Sequence, residues 1–187
     1  MKILGGYLKN REVLADFSRV RPTSSKVKEA IFHIIGDISS FKVLDLFSGT
    51  GALSFESISR GADSVVSVEL DGKHFGNIKK NIDIFNISES INVFRNRAEV
   101  AIKILKKQGY VFDLIFIDPP YGYSNYLDLI KQILDLNLLN VLGNIVIEIS
   151  KRSSDIHDHF KKYVDSKVLK DILIKNYGDT SLIVLTK

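Results

Sequence analysis

Cysteine is absent from the chain, which excludes disulfides, thiolate zinc sites and cysteine nucleophiles. Long apolar runs are absent as well. No stretch approaches a membrane span, and the N-terminus lacks the continuous apolar segment of a secretory signal. A soluble cytoplasmic protein is therefore expected. Proline is scarce, three in 187 residues, and two of the three stand side by side as Pro119-Pro120. What remains is enough for one domain with a sizeable core, at 45% hydrophobic residues.

The net charge of +4 is unevenly spread. Residues 1–30 hold seven basic side chains (Lys2, Lys9, Arg11, Arg19, Arg21, Lys26, Lys28) against three acidic ones (Glu12, Asp16, Glu29), and the remainder carries 19 of each sign. The excess is an N-terminal feature and points to a phosphate-rich partner.

Residues 1–23 read as an appendage. Ile3-Leu4 and Val13-Leu14 suggest short extended pieces broken by Gly5-Gly6, and Pro22 biases Arg21 toward extended geometry. Thr23, Ser24 or Ser25 can cap a following helix with Val27, Ala30, Ile31, Ile34 and Ile35 on one stripe. Its opposite side carries Lys26, Lys28, Glu29 and His33. From residue 41 strands and helices alternate. Strands are expected over 41–46, 64–68, 91–94, 112–117 and 145–149, and helices over 52–59, 71–85, 98–107 and 126–136. That alternation predicts an α/β fold with a doubly wound, mostly parallel sheet. A short helix over 154–163 and a hairpin of strands 167–176 and 181–185 about Gly178-Asp179 complete the chain.

Two stretches carry chemistry. The first is Phe112 to Tyr123. Leu114 to Ile117 has the continuous apolar character of a strand buried on both faces, and Pro119 and Pro120 end it. Asp118 offers carboxylate acceptors, Pro119 a backbone carbonyl in the rigid frame set by Pro120, and Tyr121 a flat aromatic face. Together they suit a planar ring bearing an exocyclic amine. The face stacks, and the two acceptors take the two N–H groups. Such bonds favour the pyramidal geometry that returns the lone pair to nitrogen, and they stabilise the positive charge that develops as it attacks a methyl group.

The second is Asp45-Leu46-Phe47-Ser48-Gly49-Thr50-Gly51, between the first core strand and its helix. Gly49 and Gly51 permit a tight turn and close approach to a ligand, and Glu69 closes the next strand, where an acidic residue can hold ribose hydroxyls. No Gly-Lys-Ser/Thr follows, so a P-loop is excluded, and Ser54 fits a dinucleotide fingerprint poorly. Asp45 would repel a pyrophosphate but favours a cation. S-adenosylmethionine has an α-ammonium, a sulfonium and a ribose without phosphate, and it fits this set.

Asp45 to Gly51, Ser59-Arg60-Gly61-Ala62, Glu69 and Asp118 to Tyr121 resemble a class I methyltransferase with the Asp/Asn-Pro-Pro-Tyr signature of amino-group methylation. Gly5-Gly6, Arg21-Pro22-Thr23, Phe32 and Tyr177-Gly178-Asp179-Thr180 narrow the resemblance, over nearly the whole chain, to the RsmD family of small-subunit (16S) ribosomal RNA guanine-N2 methyltransferases. The resemblance implies a seven-stranded Rossmann-like sheet with an antiparallel last strand, over residues 24–187. It also implies an RNA-contacting extension over 1–23 and S-adenosylmethionine as methyl donor. The donor-binding set it implies is Asp45, Phe47, Ser48, Gly49, Thr50, Gly51, Glu69, Leu70, Asn96, Arg97, Ala98 and Asp118. The catalytic set is Asp118, Pro119, Pro120 and Tyr121, with no metal, and Lys9, Arg11, Arg21, Thr23 and Lys26 would meet RNA. The implied partner is small-subunit ribosomal RNA within an assembling particle, with no membrane and a monomeric enzyme. Other readings of the same residues are amino-group methylation of adenine N6 or of a protein glutamine, and a non-catalytic RNA-binding assembly factor.

Overall fold

The computed structural model describes residues 1–16, 24–120, 122–150 and 168–187. Its helices are α1 (Ser25–Ile35), α2 (Ala52–Ser59), α3 (Gly72–Phe85), α4 (Ala98–Lys107) and α5 (Tyr126–Asp135). Its strands are β1 (Lys42–Asp45), β2 (Ser64–Glu69), β3 (Ile91–Arg95), β4 (Phe112–Ile117), β5 (Leu139–Ser150), β6 (Asp171–Tyr177) and β7 (Thr180–Thr186). They form one seven-stranded sheet in the order β3-β2-β1-β4-β5-β7-β6, with β7 antiparallel to both neighbours. The strand order reverses between β1 and β4, which pair in parallel, Leu44 beside Ile115. A crevice opens at the carboxyl ends of the strands at such a reversal.

Both faces of the sheet are covered, which is why Leu114 to Ile117 of β4 and Ile145 to Ile147 of β5 read as unbroken apolar runs. Alternation along each strand sorts side chains between two cores. Leu44, Val66, Ile115, Ile117, Ile145 and Ile147 pack with α4 and α5. Val43, Val65, Leu114, Phe116 and Val146 pack with α1, α2 and α3. The same alternation sends Asp45, Ser67 and Glu69 toward the α1–α3 side.

Residues 1–16 pack closely against that second core. Ile3, Leu8 and Val13 are buried in it, and a single bridge pairs Lys2 with Glu12 in place of two strands. The anchor is Glu56 on α2, fully buried, whose carboxylate accepts Leu4 and Gly5 N–H at 2.8 Å each and Arg60 Nε at 2.8 Å. Gly6 lies so close to the Ser59 carbonyl that a Cβ there would stand 1.6 Å from its oxygen, and its φ of 73° disfavours any other residue.

This packing overturns the expectation for Lys28. The helical pattern puts it on the solvent side, but the extension covers that side. Lys28 is 1% exposed, with Nζ 3.3 Å from the Lys2 carbonyl and 3.9 Å from Glu56 Oε2. Burial lowers its pKa, with Glu56 opposing that shift. It therefore cannot meet a phosphate. Phe32 on the same helix is buried edge-on to Phe116, ring centres 6.0 Å apart, while Ile34 and Ile35 are half-buried. β5 starts at Leu139 rather than at 145, because the β4–β5 register shifts between Phe112 and Leu114 and lets the irregular stretch through Gly143 join the strand. The hairpin turns at Gly178-Asp179 as expected. The helix expected over 154–163 lies outside the described residues.

Candidate active site

A cleft of about 1390 Å³ runs along the carboxyl ends of β2, β1, β4 and β5. The loop after β1 forms its floor. Ser48 N–H bonds to the Val68 carbonyl at 3.0 Å, Gly51 N–H to the Ser48 carbonyl at 2.7 Å, and Ser48 Oγ to the Asp45 carbonyl at 2.9 Å. Gly51 caps α2 in the left-handed region, φ 79°, with the Phe55 ring 2.6 Å from where a Cβ would stand. Glu69 ties the two donor-side loops together: Oε2 accepts Gly49 N–H and Oε1 accepts Asp71 N–H, both at 2.7 Å.

Asp45 is 1% exposed and lines the cleft. Oδ2 accepts the Ser54 hydroxyl at 2.6 Å, and Ser54 Oγ lies 2.7 Å from Ser67 Oγ, so Ser67 donates in turn. Oδ1 is buried with no hydrogen-bond partner among the described residues. Burial pushes the carboxyl pKa up to about 7; the Ser54 bond opposes this, and the nearby Asp118 and Glu69 charges add to it. A buried, unsatisfied carboxylate oxygen facing a cleft is a place for a cationic N–H donor. The donor set here, one carboxylate for an ammonium and a second beside the glycine loop for hydroxyls, therefore fits S-adenosylmethionine. Ser54 is a residue that sequence reasoning passed over. The sequence treats it as a poor match to a dinucleotide pattern, while the fold makes it the hydroxyl that steadies Asp45.

Leu70, Asn96, Arg97 and Ala98 border the same end of the cleft. Asn96 N–H reaches the Glu69 carbonyl at 3.2 Å, and its Oδ1 accepts Arg97 N–H at 3.0 Å. Leu70 is 55% exposed, so its apolar side chain faces open space at the cleft edge. Phe47, Thr50, Gly49 and Ser48 also line the cleft.

Asp118, Pro119 and Pro120 line it from the β4 side, and Tyr121 lies outside the described residues. The turn continues with Tyr123 N–H to the Pro120 carbonyl at 3.1 Å. Tyr123 lines the cleft too. Its hydroxyl donates to Glu99 Oε1 on α4, and its ring meets Phe47 edge-on at 5.0 Å. Burial and the Glu99 carboxylate raise the phenol pKa. Tyr123 and Glu99 were not singled out by sequence; nothing in their spacing shows that the loop after β4 and the first turn of α4, 24 residues apart, would meet.

Of the expected RNA-facing residues, Lys9 and Lys26 are exposed. Arg11 lies over the Phe85 ring, 5.3 Å from its centre, and Nη2 donates to the Ile84 carbonyl at 3.3 Å. Arg21 and Thr23 lie outside the described residues. Ser24, which caps α1 through Val27 N–H at 3.2 Å, lines the cleft. Among the described residues no group of three or more acidic or histidine side chains could hold a metal, and no helix is long and apolar enough to cross a membrane.

A family model described as conserved hypothetical protein 95 matches residues 1–185. The chain belongs to this family, the RsmD family. Similar proteins include the rRNA methyltransferase YlbH of Bacillus subtilis, so named as putative, 35% identical over 79% of this chain and 82% of its own. Ribosomal RNA small subunit methyltransferase D of Buchnera aphidicola from Acyrthosiphon pisum is 34% identical over 72% of this chain and 68% of its own. Among solved structures, a conserved hypothetical protein of Streptococcus pyogenes superposes with a TM-score of 0.72 at 30% identity, covering 86% of this chain and 95% of that one. The seven-stranded sheet with β7 reversed is the Rossmann-like methyltransferase fold that the family resemblance predicts.

Proposed function

We propose that this RsmD-family chain transfers a methyl group from S-adenosylmethionine to the exocyclic N2 amine of a guanine in small-subunit ribosomal RNA. The observation that carries the reading is one cleft with two chemistries. A buried, unsatisfied Asp45 oxygen and the Asp118 carboxylate line the same cleft at the ends of the paired strands β1 and β4. The relatives named ribosomal RNA small subunit methyltransferase D support ribosomal RNA as the substrate.

S-adenosylmethionine, when bound, supplies an electrophilic methyl group on sulfur. The chain's residues do the rest by positioning and charge. Asp45 Oδ1 takes the α-ammonium, Glu69 the ribose hydroxyls, and Leu70 with Asn96, Arg97 and Ala98 the adenine end. Asp118 and the Pro119 carbonyl accept the two N–H bonds of the guanine amine, keep its lone pair on nitrogen, and stabilise the charge it acquires. Pro120 holds the carbonyl rigid and Tyr121 stacks on the base. Residues 1–23 form an extension that contacts RNA through Lys9, Arg11, Arg21 and Thr23, with Lys26 at the start of the 24–187 domain.

The test is transfer of labelled methyl from S-adenosylmethionine to total RNA and to immature small ribosomal subunits, with nucleosides identified by mass. N2-methylguanosine from the small-subunit fraction is the expected product. Label in another nucleoside or in protein would keep the donor site and discard the acceptor. No transfer, with the donor bound, would leave an RNA-binding assembly factor.

A further inference from the structure

The sheet places a second acidic residue beside Asp118. β4 and β5 are parallel and in register, Phe116 beside Val146 and Ile117 beside Ile147. One step further sets Glu148 beside Asp118, with the two α-carbons roughly 4.8 Å apart. Phe116 and Val146 both point into the α1–α3 core, so the residues two positions on share that side. Across the sheet, Leu182 of β7 stands opposite Glu148 and lies in the same core. Asp118 and Glu148 both line the cleft. Asp45, Glu69, Asp118 and Glu148 thus stand at or near the carboxyl ends of four adjacent strands on one side of the sheet, the first two at the donor end.

We infer that Glu148 is the specificity residue that reads the N1–H of the target guanine, and so selects guanine over adenine. This rests on the guanine-N2 reading above. A guanine whose N2 amine is held by Asp118 and the Pro119 carbonyl carries N1–H on one side of that amine and N3 on the other; with the N1–H side turned to β5, that proton meets Glu148. A carboxylate there accepts the bond. An adenine entering by its N6 amine presents N1 as a lone pair in the same place, and carboxylate against lone pair leaves both without a donor. A site built to hydrogen-bond one edge rejects an analogue lacking that donor far more strongly than an apolar pocket rejects an extra group. Asp118 holds the amine in either base; Glu148 tells the bases apart.

The experiment compares wild type with Glu148→Gln, which keeps shape and replaces one acceptor by an N–H donor. The acceptors are two short RNAs carrying the methylated site, mapped first with the wild-type enzyme, with guanine or 2-aminopurine at the target. 2-Aminopurine keeps the N2 amine but offers a lone pair at N1. Wild type is expected to prefer guanine by about 100-fold or more in kcat/KM, and E148Q to prefer it by less than about tenfold, through loss on guanine and gain on 2-aminopurine. S-adenosylhomocysteine affinity should be equal in the two proteins. If E148Q lowers both RNAs by the same factor, or leaves guanine turnover unchanged, Glu148 does not read the base. If wild-type enzyme methylates a nucleoside other than guanosine, the acceptor reading falls, and this inference falls with it.

Discussion

Replacing Ser54 by alanine should produce a donor-binding defect that alkaline pH repairs. Ser54 Oγ donates to Asp45 Oδ2 at 2.6 Å inside a fully buried network, and it opposes the burial that lifts the Asp45 pKa to about 7. A hydrogen bond to a charged group is worth about 1.5–3 kcal/mol, and one pKa unit corresponds to about 1.4 kcal/mol. Removing the bond should therefore raise the pKa by about one to two units. At pH 7 the wild-type carboxylate is about half ionised, and the variant's would be about a tenth to a hundredth ionised. The α-ammonium binds the ionised form, so affinity at pH 7 should fall about 5- to 50-fold, and the two proteins should converge near pH 9.5. Calorimetric titration with S-adenosylhomocysteine, which keeps the amino-acid and ribose ends, measures this. Reading the ratio of the two dissociation constants at each pH cancels the ligand's own ionisation. A ratio that stays constant from pH 6.5 to 9.5 would refute the reasoning, since a purely structural defect has no such slope. Asp45→Asn supplies the control, weak at every pH.

Four other outcomes follow from the same geometry. Asp45→Asn should stabilise the protein at pH 8. The folded carboxyl holds a proton that the unfolded chain releases between its ordinary value of 3.8 and about 7, so stability falls as pH rises through that window, by on the order of 4 kcal/mol, and Asn removes the loss; thermal unfolding at pH 5 and 8 checks it. Asp118→Ala should lower turnover by about 100-fold or more with a far smaller change in donor affinity, and near wild-type turnover in a single-turnover assay would remove Asp118 from the chemistry. Glu56→Ala should cost about 3–5 kcal/mol in denaturant unfolding, because it strands the buried Lys28 ammonium and frees the Leu4 and Gly5 N–H groups; a loss under about 1 kcal/mol would show that the extension is held otherwise. Lys9→Gln with Lys26→Gln should reduce the slope of log affinity against log salt for RNA by about one to two, and an unchanged slope would put the RNA surface elsewhere.

The sequence by itself determined the strand–helix alternation, the two loops that carry chemistry and the carboxylates at their ends, because each depends on local rules. A strand buried on both faces is mostly apolar, prolines end it, and glycines favour tight left-handed turns such as Gly49 and Gly51. The tertiary structure alone decided which distant groups share a site. Ser54 and Ser67 became one chain of hydroxyls leading to Asp45 because β1 and β2 pair with Asp45 beside Ser67. Tyr123 reached Glu99 because the loop after β4 and the start of α4 both border the cleft. Lys28 went inside because the extension is anchored on Glu56 through Leu4 and Gly5, a contact over 51 and 52 residues that no helical periodicity encodes. Glu148 came to stand beside Asp118 through the register of β5 on β4, set after a shift that the strand pattern alone did not reveal. Periodicity fixes which way a side chain points within its own element; only the pairing of elements fixes what it points at.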